Sequence, residues 1–225
     1  MWLDIDPNLK EEFPGLKAYK VRIMNVRTEN KEPSVTRGLD ELLNYVERDV
    51  KQKYTLENLK DFAIIRSYRD FFWRVGIDPT KIRPASEALI RRILSDKPFP
   101  RINNLVDSYN LASVVSSVPI AAFDMDKLVG NLQMRKSRSE EIFLGIGMVE
   151  AQKLTGAEVV VSDSEKLIAI YPYRDAAMSR ITATTKNVLL LICGVPNVDD
   201  RILDESKRIT IELVTRFCGG IAIYE

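Results

Sequence analysis

No histidine occurs anywhere in the 225 residues. That absence removes every Ser-His-Asp and Cys-His catalytic arrangement, and every metal site that needs an imidazole. Cysteine is scarce as well. Cys193 and Cys218 are the only two; they build neither a disulfide framework nor the usual structural zinc set, and a cytoplasmic location is the expectation. Long hydrophobic runs are missing. The longest unbroken one, Val188 to Cys193, falls far short of the roughly 18–20 residues that cross a bilayer, so no membrane partner is expected. Asp4, Asp6, Glu11 and Glu12 make the start wrong for a secretory leader. An excess of one charge is also lacking: 33 Lys and Arg against 32 Asp and Glu give a net +1. Bulk coating of nucleic acid is thereby excluded, and only a local basic groove remains open. No Walker-type phosphate loop is present, and Gly145-Ile-Gly147 lacks the third glycine of a dinucleotide fingerprint and reads as a turn. No metal or cofactor is expected. Any catalysis must use carboxylates, Lys, Tyr, Ser, Thr, backbone amides or the substrate itself.

What is present is ordinary globular material, 45% apolar and 29% charged, long enough for one large domain or a domain with an extension. Two prolines and scattered charge in residues 1–15 predict a loosely attached lead-in. Leu16 to Val26 alternates with period two and predicts a strand, ended by a polar stretch holding Asn30 and Pro33. Apolar residues at three-and-four spacing predict helices over Thr36–Tyr54, Leu56–Val75, Ala85–Leu94, Asn103–Ser116 and Asp199–Cys218. Between the last two, short strands are expected at Pro119–Phe123, Leu132–Arg135, Ile142–Gly145, Val159–Ser162, Leu167–Tyr171 and Val188–Cys193. The apolar run Val188–Cys193 should be a central strand buried on both faces. Helices in a block, then strands, then a helix is an α+β pattern with a mixed or antiparallel sheet, not alternating βαβ. Cys193 and Cys218 read as buried structural cysteines.

Three polar clusters interrupt the apolar pattern. In Arg83-Pro-Ala-Ser-Glu87, a helix start gathers free N–H groups that attract carboxylate or phosphate; simple capping by Glu87 and an ion pair of Arg83 is the alternative. Asn103, Asp107 and Asn110 stack on one helix face. Asparagine amides suit an ammonium, a carbonyl or a ribose hydroxyl, and a buried polar network is the alternative. The third cluster is Tyr171-Pro-Tyr-Arg174-Asp175 with Thr184, Thr185 and Lys186. Here Arg would meet phosphate and Tyr would stack, against a plain turn with a local Arg174–Asp175 pair.

Taken together, the clusters resemble a known family. Phe99-Pro-Arg-Ile-Asn-Asn-Leu-Val-Asp-Ser-Tyr-Asn-Leu-Ala112 and Val118-Pro-Ile-Ala-Ala-Phe-Asp-Met-Asp-Lys-Leu-Val-Gly130 are similar to the B3/B4 domain of the phenylalanyl-tRNA synthetase β-subunit. The resemblance runs from about residue 67 to 220. Arg83-Pro-Ala-Ser-Glu-Ala88 and Tyr171-Pro-Tyr-Arg-Asp-Ala176 look like the free-standing proteins of that kind. The expected organisation is residues 1–66 as an N-terminal strand and helices of unknown role, then residues 67–225 as the B3/B4-like domain. The resemblance implies an α+β module housing an editing site, where wrongly attached tyrosine is hydrolysed from tRNA, and it places Asn110 in that pocket. Two positions depart from the family pattern: Ala121 stands where a His is common, and Leu191 near the place of a pocket Glu. The tyrosine-reading groups are therefore not carried over, and Arg83, Glu87, Tyr171, Arg174 and Asp175 are the residues expected to rebuild the pocket.

The expected function is RNA binding, with tRNA or aminoacyl-tRNA as partner and hydrolysis of a mischarged ester as the activity. A non-catalytic module for tRNA or an amino-acid-like small ligand is the alternative, and another small-molecule enzyme on the same fold is a third. Arg101, Arg174 and Lys186 are the expected phosphate contacts. With no imidazole to act as base, no step in rate near pH 6–7 is expected.

Overall fold

The computed structural model of the chain describes residues 1–29 and 31–224; Asn30 and Glu225, which closes the second expected segment, lie outside them. The chain opens with β1 (Asp4–Ile5), α1 (Pro7–Glu12) and β2 (Lys17–Met24). Four longer helices follow: α2 (Pro33–Lys53), α3 (Ala63–Arg74), α4 (Ala85–Leu94) and α5 (Asn104–Ser116). The strand-rich part holds β3 (Ile120–Asp124), β4 (Gln133–Lys136), β5 (Ile142–Phe143), β6 (Gln152–Lys153), β7 (Val159–Ser162), β8 (Leu167–Ile170) and β9 (Arg174–Asp175). The chain closes with β10 (Val188–Gly194), α6 (Asp200–Cys218) and β11 (Ile221–Ile223).

Two sheets organise these elements, in the orders β11-β2-β10-β3 and β1-β4-β7-β8-β9, and β5 and β6 form a separate hairpin. Every residue of β10 is buried, and the strand pairs antiparallel with β2 on one side and β3 on the other. It is the central, two-sided strand that its unbroken apolar run predicts. Successive side chains of a strand point to opposite faces. Gly194 meets Leu203 of α6, so Leu190 and Ile192 share the helix-covered face. Leu189, Leu191 and Cys193 face the second sheet. The mixed α+β class follows from this layering of helices, sheet and second sheet.

Two sequence expectations change. The lead-in is anchored, not loose: β1 pairs parallel with β4, and Leu3, Ile5, Leu9 and Phe13 are buried. The helix expected over Leu56–Val75 begins only at Ala63, because Thr55 and Asn58 cap each other, Thr55 N donating to Asn58 Oδ1 at 2.8 Å and Asn58 N to Thr55 Oγ1 at 3.2 Å. Such reciprocal side-chain bonds offer the backbone an alternative to the helical ladder. Strand β2, expected from its alternation, registers with β10 along its length.

Helix α4 is held by a buried ion triad. Glu87 is fully buried; Arg69 Nη1 donates to its two oxygens at 2.9 and 3.1 Å, and Arg91 Nε donates at 2.8 Å. Arg69 belongs to α3, so the triad fastens α4 to α3. Removing one partner leaves charge buried and uncompensated, which costs about 3–5 kcal/mol. Glu87→Ala is accordingly expected to lower the unfolding free energy by about that much in a urea titration; a loss below about 1 kcal/mol, the range of exposed pairs, would mean the triad is solvated.

Candidate functional site

A cavity of about 80 Å³ lies between the sheets, walled by Ala121, Ala169, Ile170, Leu191 and Cys193 and entered by Arg174, Asp175 and Ala85. Register explains its walls: Leu191 pairs with Ala121 across β10 and β3, so the two positions where the family pattern has polar groups stand side by side. The tight turn after β8, closed by Tyr173 N donating to Ile170 O at 2.7 Å, brings Arg174 and Asp175 back as β9. Asp175 then reaches the free edge of β3, where the Ala122 N–H bonds its carboxylate.

That carboxyl is the group here that burial shifts toward neutrality. Burial in the apolar hollow pushes the Asp175 pKa up to about 7, against the lowering pull of the Ala122 N–H. Burial also raises the Tyr109 phenol above its ordinary value, with the charges of Asp175 and Asp107 adding to the effect. The Cys193 thiol is raised likewise, by burial first and Asp175 second, which makes it a poor nucleophile. The expected absence of a rate step near neutrality concerned an imidazole; burial here brings a carboxyl toward that same range. The alternative of a local Arg174–Asp175 pair is not formed. Arg174 Nη1 donates to Ile146 O at 2.8 Å, Nη2 to the Tyr173 hydroxyl at 3.1 Å, and the guanidinium lies over the Tyr173 ring. Gly145 permits this, since a Cβ there would fall 2.3 Å from Arg174 Cδ.

The remaining sequence candidates divide. Tyr171 lines the cavity, but its ring is buried and its hydroxyl donates to Gly194 O at 2.7 Å, so it ties the sheets together and is not free to stack on a base. Asn103 is the N-cap of α5, accepting from Val106 N at 2.9 Å. Asp107 is buried and accepts from Ile102 N at 2.9 Å and Arg101 Nε at 2.7 Å. Arg101 also pairs with Asp40 at 2.6 Å, so it is committed to protein carboxylates. Glu87 sits in its arginine triad and lines neither depression. Thr185 donates to Asp124 Oδ2 at 2.7 Å and pins a loop on which Thr184 and Lys186 are exposed. This loop precedes Val188, the end of β10 remote from Leu191. Five residues of extended chain separate Lys186 from Leu191, about 16 Å.

Arg83 and Asn110 line a second, open depression of about 890 Å³ beside α4, which meets the cavity at Ala85. The six residues expected to converge thus fall into two adjoining hollows and one buried triad. Sequence reasoning passed over Tyr109, read only as an apolar helix position, and the wall residues Cys193 and Ala169. Their alternation in strands signals burial, not the hollow they border. Among the described residues no group of three or more His, Cys, Asp and Glu gathers as a metal site, and no helix is long and apolar enough to cross a membrane.

The raised Asp175 pKa fixes a sign. The folded state holds the proton more tightly than the unfolded chain, so this group's contribution to stability is fully present below about pH 4 and is lost as pH rises through about 7. Asp175→Asn removes that loss. The variant's melting temperature relative to the parent should climb between pH 5 and pH 8 in thermal melts; a constant difference would show a carboxyl open to water.

Residues 67–219 match the family model of the B3/4 domain. The phenylalanine–tRNA ligase beta subunit of Fusobacterium nucleatum is 35% identical over 114 residues, 51% of this chain and 14% of that protein. The corresponding subunit of Malacoplasma penetrans is 28% identical over 153 residues, 68% of this chain and 19% of its own length. The chain thus spans less than a fifth of either relative. An N-terminal fragment of the phenylalanyl-tRNA synthetase beta-subunit from Pyrococcus horikoshii shares the fold, with a TM-score of 0.50 at 15% identity over 98% of this chain and 49% of that one. With the family model covering well over half the sequence and the layered sheets in place, the chain belongs to the B3/4 domain family.

Proposed function

We propose that this chain binds the aminoacylated end of a tRNA and hydrolyses the ester of a mischarged one. The observation that carries the reading is the Asp175 carboxyl, set in an apolar cavity between the two sheets and flanked by Ala121 and Leu191. The resemblance to the synthetase domain implies an editing pocket near Ala121 and Leu191, which supports this reading. A carboxyl that titrates near neutrality is the fitting base for ester hydrolysis at cellular pH. Ionised Asp175 takes a proton from a water as the water oxygen bonds to the ester carbonyl carbon. The bond from that carbon to the ribose oxygen then breaks, the ribose oxygen takes the proton, and free amino acid and deacylated tRNA leave. The first turn of α4 carries no side-chain cap, and its Ala85 borders the cavity, so backbone N–H groups are at hand for the developing oxyanion.

The alternative, a module that binds without turnover, draws on the apolar Ala121 and Leu191, which give a bound aminoacyl group little to hold it by hydrogen bonds. Incubation with a panel of mischarged tRNAs separates the two. The hydrolytic reading expects one ester to be cleaved above the buffer blank, with a rate that rises through about pH 7 as Asp175 ionises and then levels. Asp175→Asn should cut that rate roughly 100-fold or more and flatten its pH profile. A parent protein that retains tRNA but cleaves no ester in the panel establishes the binding module instead.

A further inference from the structure

The lining of the second depression carries charge of one sign. Lys81, Arg83, Arg91, Arg92 and Lys97 line it and no Asp or Glu does, in a chain whose net charge is only +1. We propose that this groove holds the sugar–phosphate backbone of the RNA strand whose aminoacyl end enters the Asp175 cavity. The inference rests on the proposed function and adds the path by which the RNA reaches the site.

Geometry favours a strand over a compact anion. The groove encloses about 890 Å³ against about 80 Å³ for the cavity, and Ala85 borders both, so the two adjoin. Ala85, Ala88, Arg92 and Ser95 recur at three-and-four spacing and form one face of α4. A ten-residue helix runs about 15 Å, the length of about four nucleotide steps. The alanines keep the floor low, the cations stand along it, and the Asn110 amide, also lining the groove, offers donors and an acceptor to a ribose hydroxyl.

The cations are available in different degrees. Arg83 and Lys97 make no ion pair among the described residues, and both are exposed. Lys81 stands 3.9 Å from Asp78 and is 82% exposed, so that contact is weak. Arg92 donates Nε to Pro98 O at 2.6 Å, which orients it without neutralising it. Arg91 shares Glu87 with Arg69, leaving that triad one positive charge in excess. Asp96, beside Lys97, is taken by Lys51 at 2.5 Å. An RNA backbone supplies the anions that this surface lacks, and each neutralised phosphate of a single strand adds about 0.7 to the slope of log affinity against log salt.

The test is a salt titration of uncharged tRNA and of an acceptor-stem hairpin against the parent, the triple variant Lys81→Glu/Arg83→Glu/Lys97→Glu, and the control Arg201→Glu at an exposed position in the first turn of α6. The expected result is a slope lower by about 2 and weaker binding in the triple variant, with parent behaviour in the control. In the deacylation assay the triple variant should raise KM and leave kcat near the parent value. The milder Lys81→Gln/Arg83→Gln/Lys97→Gln, checked by circular dichroism, guards against loss of fold and should show the same change of slope. A parent that binds tRNA with a slope the triple variant leaves unchanged overturns the groove and leaves the proposed function standing. A parent that binds no RNA at any salt overturns both, and binding of polyglutamate in place of RNA assigns the groove to an acidic protein.

Discussion

Strand β10 has no exposed residue from Val188 to Gly194. A strand in that condition must be paired at both edges and covered on both faces, because backbone N–H and C=O groups left unpaired away from water are costly. β2 and β3 meet the first demand, helices the second on one face, and the second sheet on the other. The cavity exists where that last cover is incomplete. Ala121 and Leu191 stand opposite the turn after β8, and the short Ala121 leaves a gap that neither sheet fills. The gap is kept open by ties that resist collapse: the Tyr171 hydroxyl bonds Gly194 O from the second sheet, and the Tyr68 hydroxyl bonds Cys193 O from α3 at 2.6 Å.

Helix α4 depends on a different interaction. Its N-cap position is Pro84, which provides no side-chain cap, so no capping bond fixes how the helix is placed against its neighbours. The Glu87 triad fixes it instead, by long-range charge pairing to α3. A buried carboxylate shared by two guanidiniums is directional: planar forks accept only a narrow range of helix positions. The consequence is that Ala85 is held at the junction of cavity and groove while Lys81 and Arg83, on the preceding turn, remain free at the rim. Glu87 is thus taken by Arg69 and Arg91, and Arg83, Arg92 and Lys97 have no carboxylate partner among the described residues.

How much of this was legible in the sequence follows from the range of each interaction. Helices α4, α5 and α6 and strand β10 rest on periodicity within a few residues, and their expected limits agree with the structure to a residue or so. The late start of α3 was hidden because Thr55 and Asn58 compete locally with an apolar spacing that also suits a helix. The anchored lead-in was hidden because its evidence, the pairing of Asp4–Ile5 with β4, lies about 130 residues away in the chain. At the site, Tyr171, Arg174 and Asp175 were visible as a compact polar break, though their roles were not: whether Arg174 pairs with its neighbour or with Ile146 is decided by a loop distant in sequence. The groove was invisible for the same reason: Arg83 stood out, but cations at 81, 91, 92 and 97 read as ordinary surface charge until the turn and helix set them around one hollow.

The two departures from the family pattern gain a physical meaning from the position of Asp175. A protonated imidazole at 121 would hold the carboxyl down, while a second carboxylate at 191 would repel it and force the pair to share a proton. With Ala121 and Leu191 in those places, burial alone raises it and one backbone N–H from Ala122 restrains the rise. Arg174, the nearest cation in sequence, cannot reverse this, because consecutive strand residues point to opposite faces and its guanidinium is engaged by Ile146 O and Tyr173. With neither an imidazole at 121 nor a carboxylate at 191, no ionisable group at those two places opposes or adds to the effect of burial on Asp175.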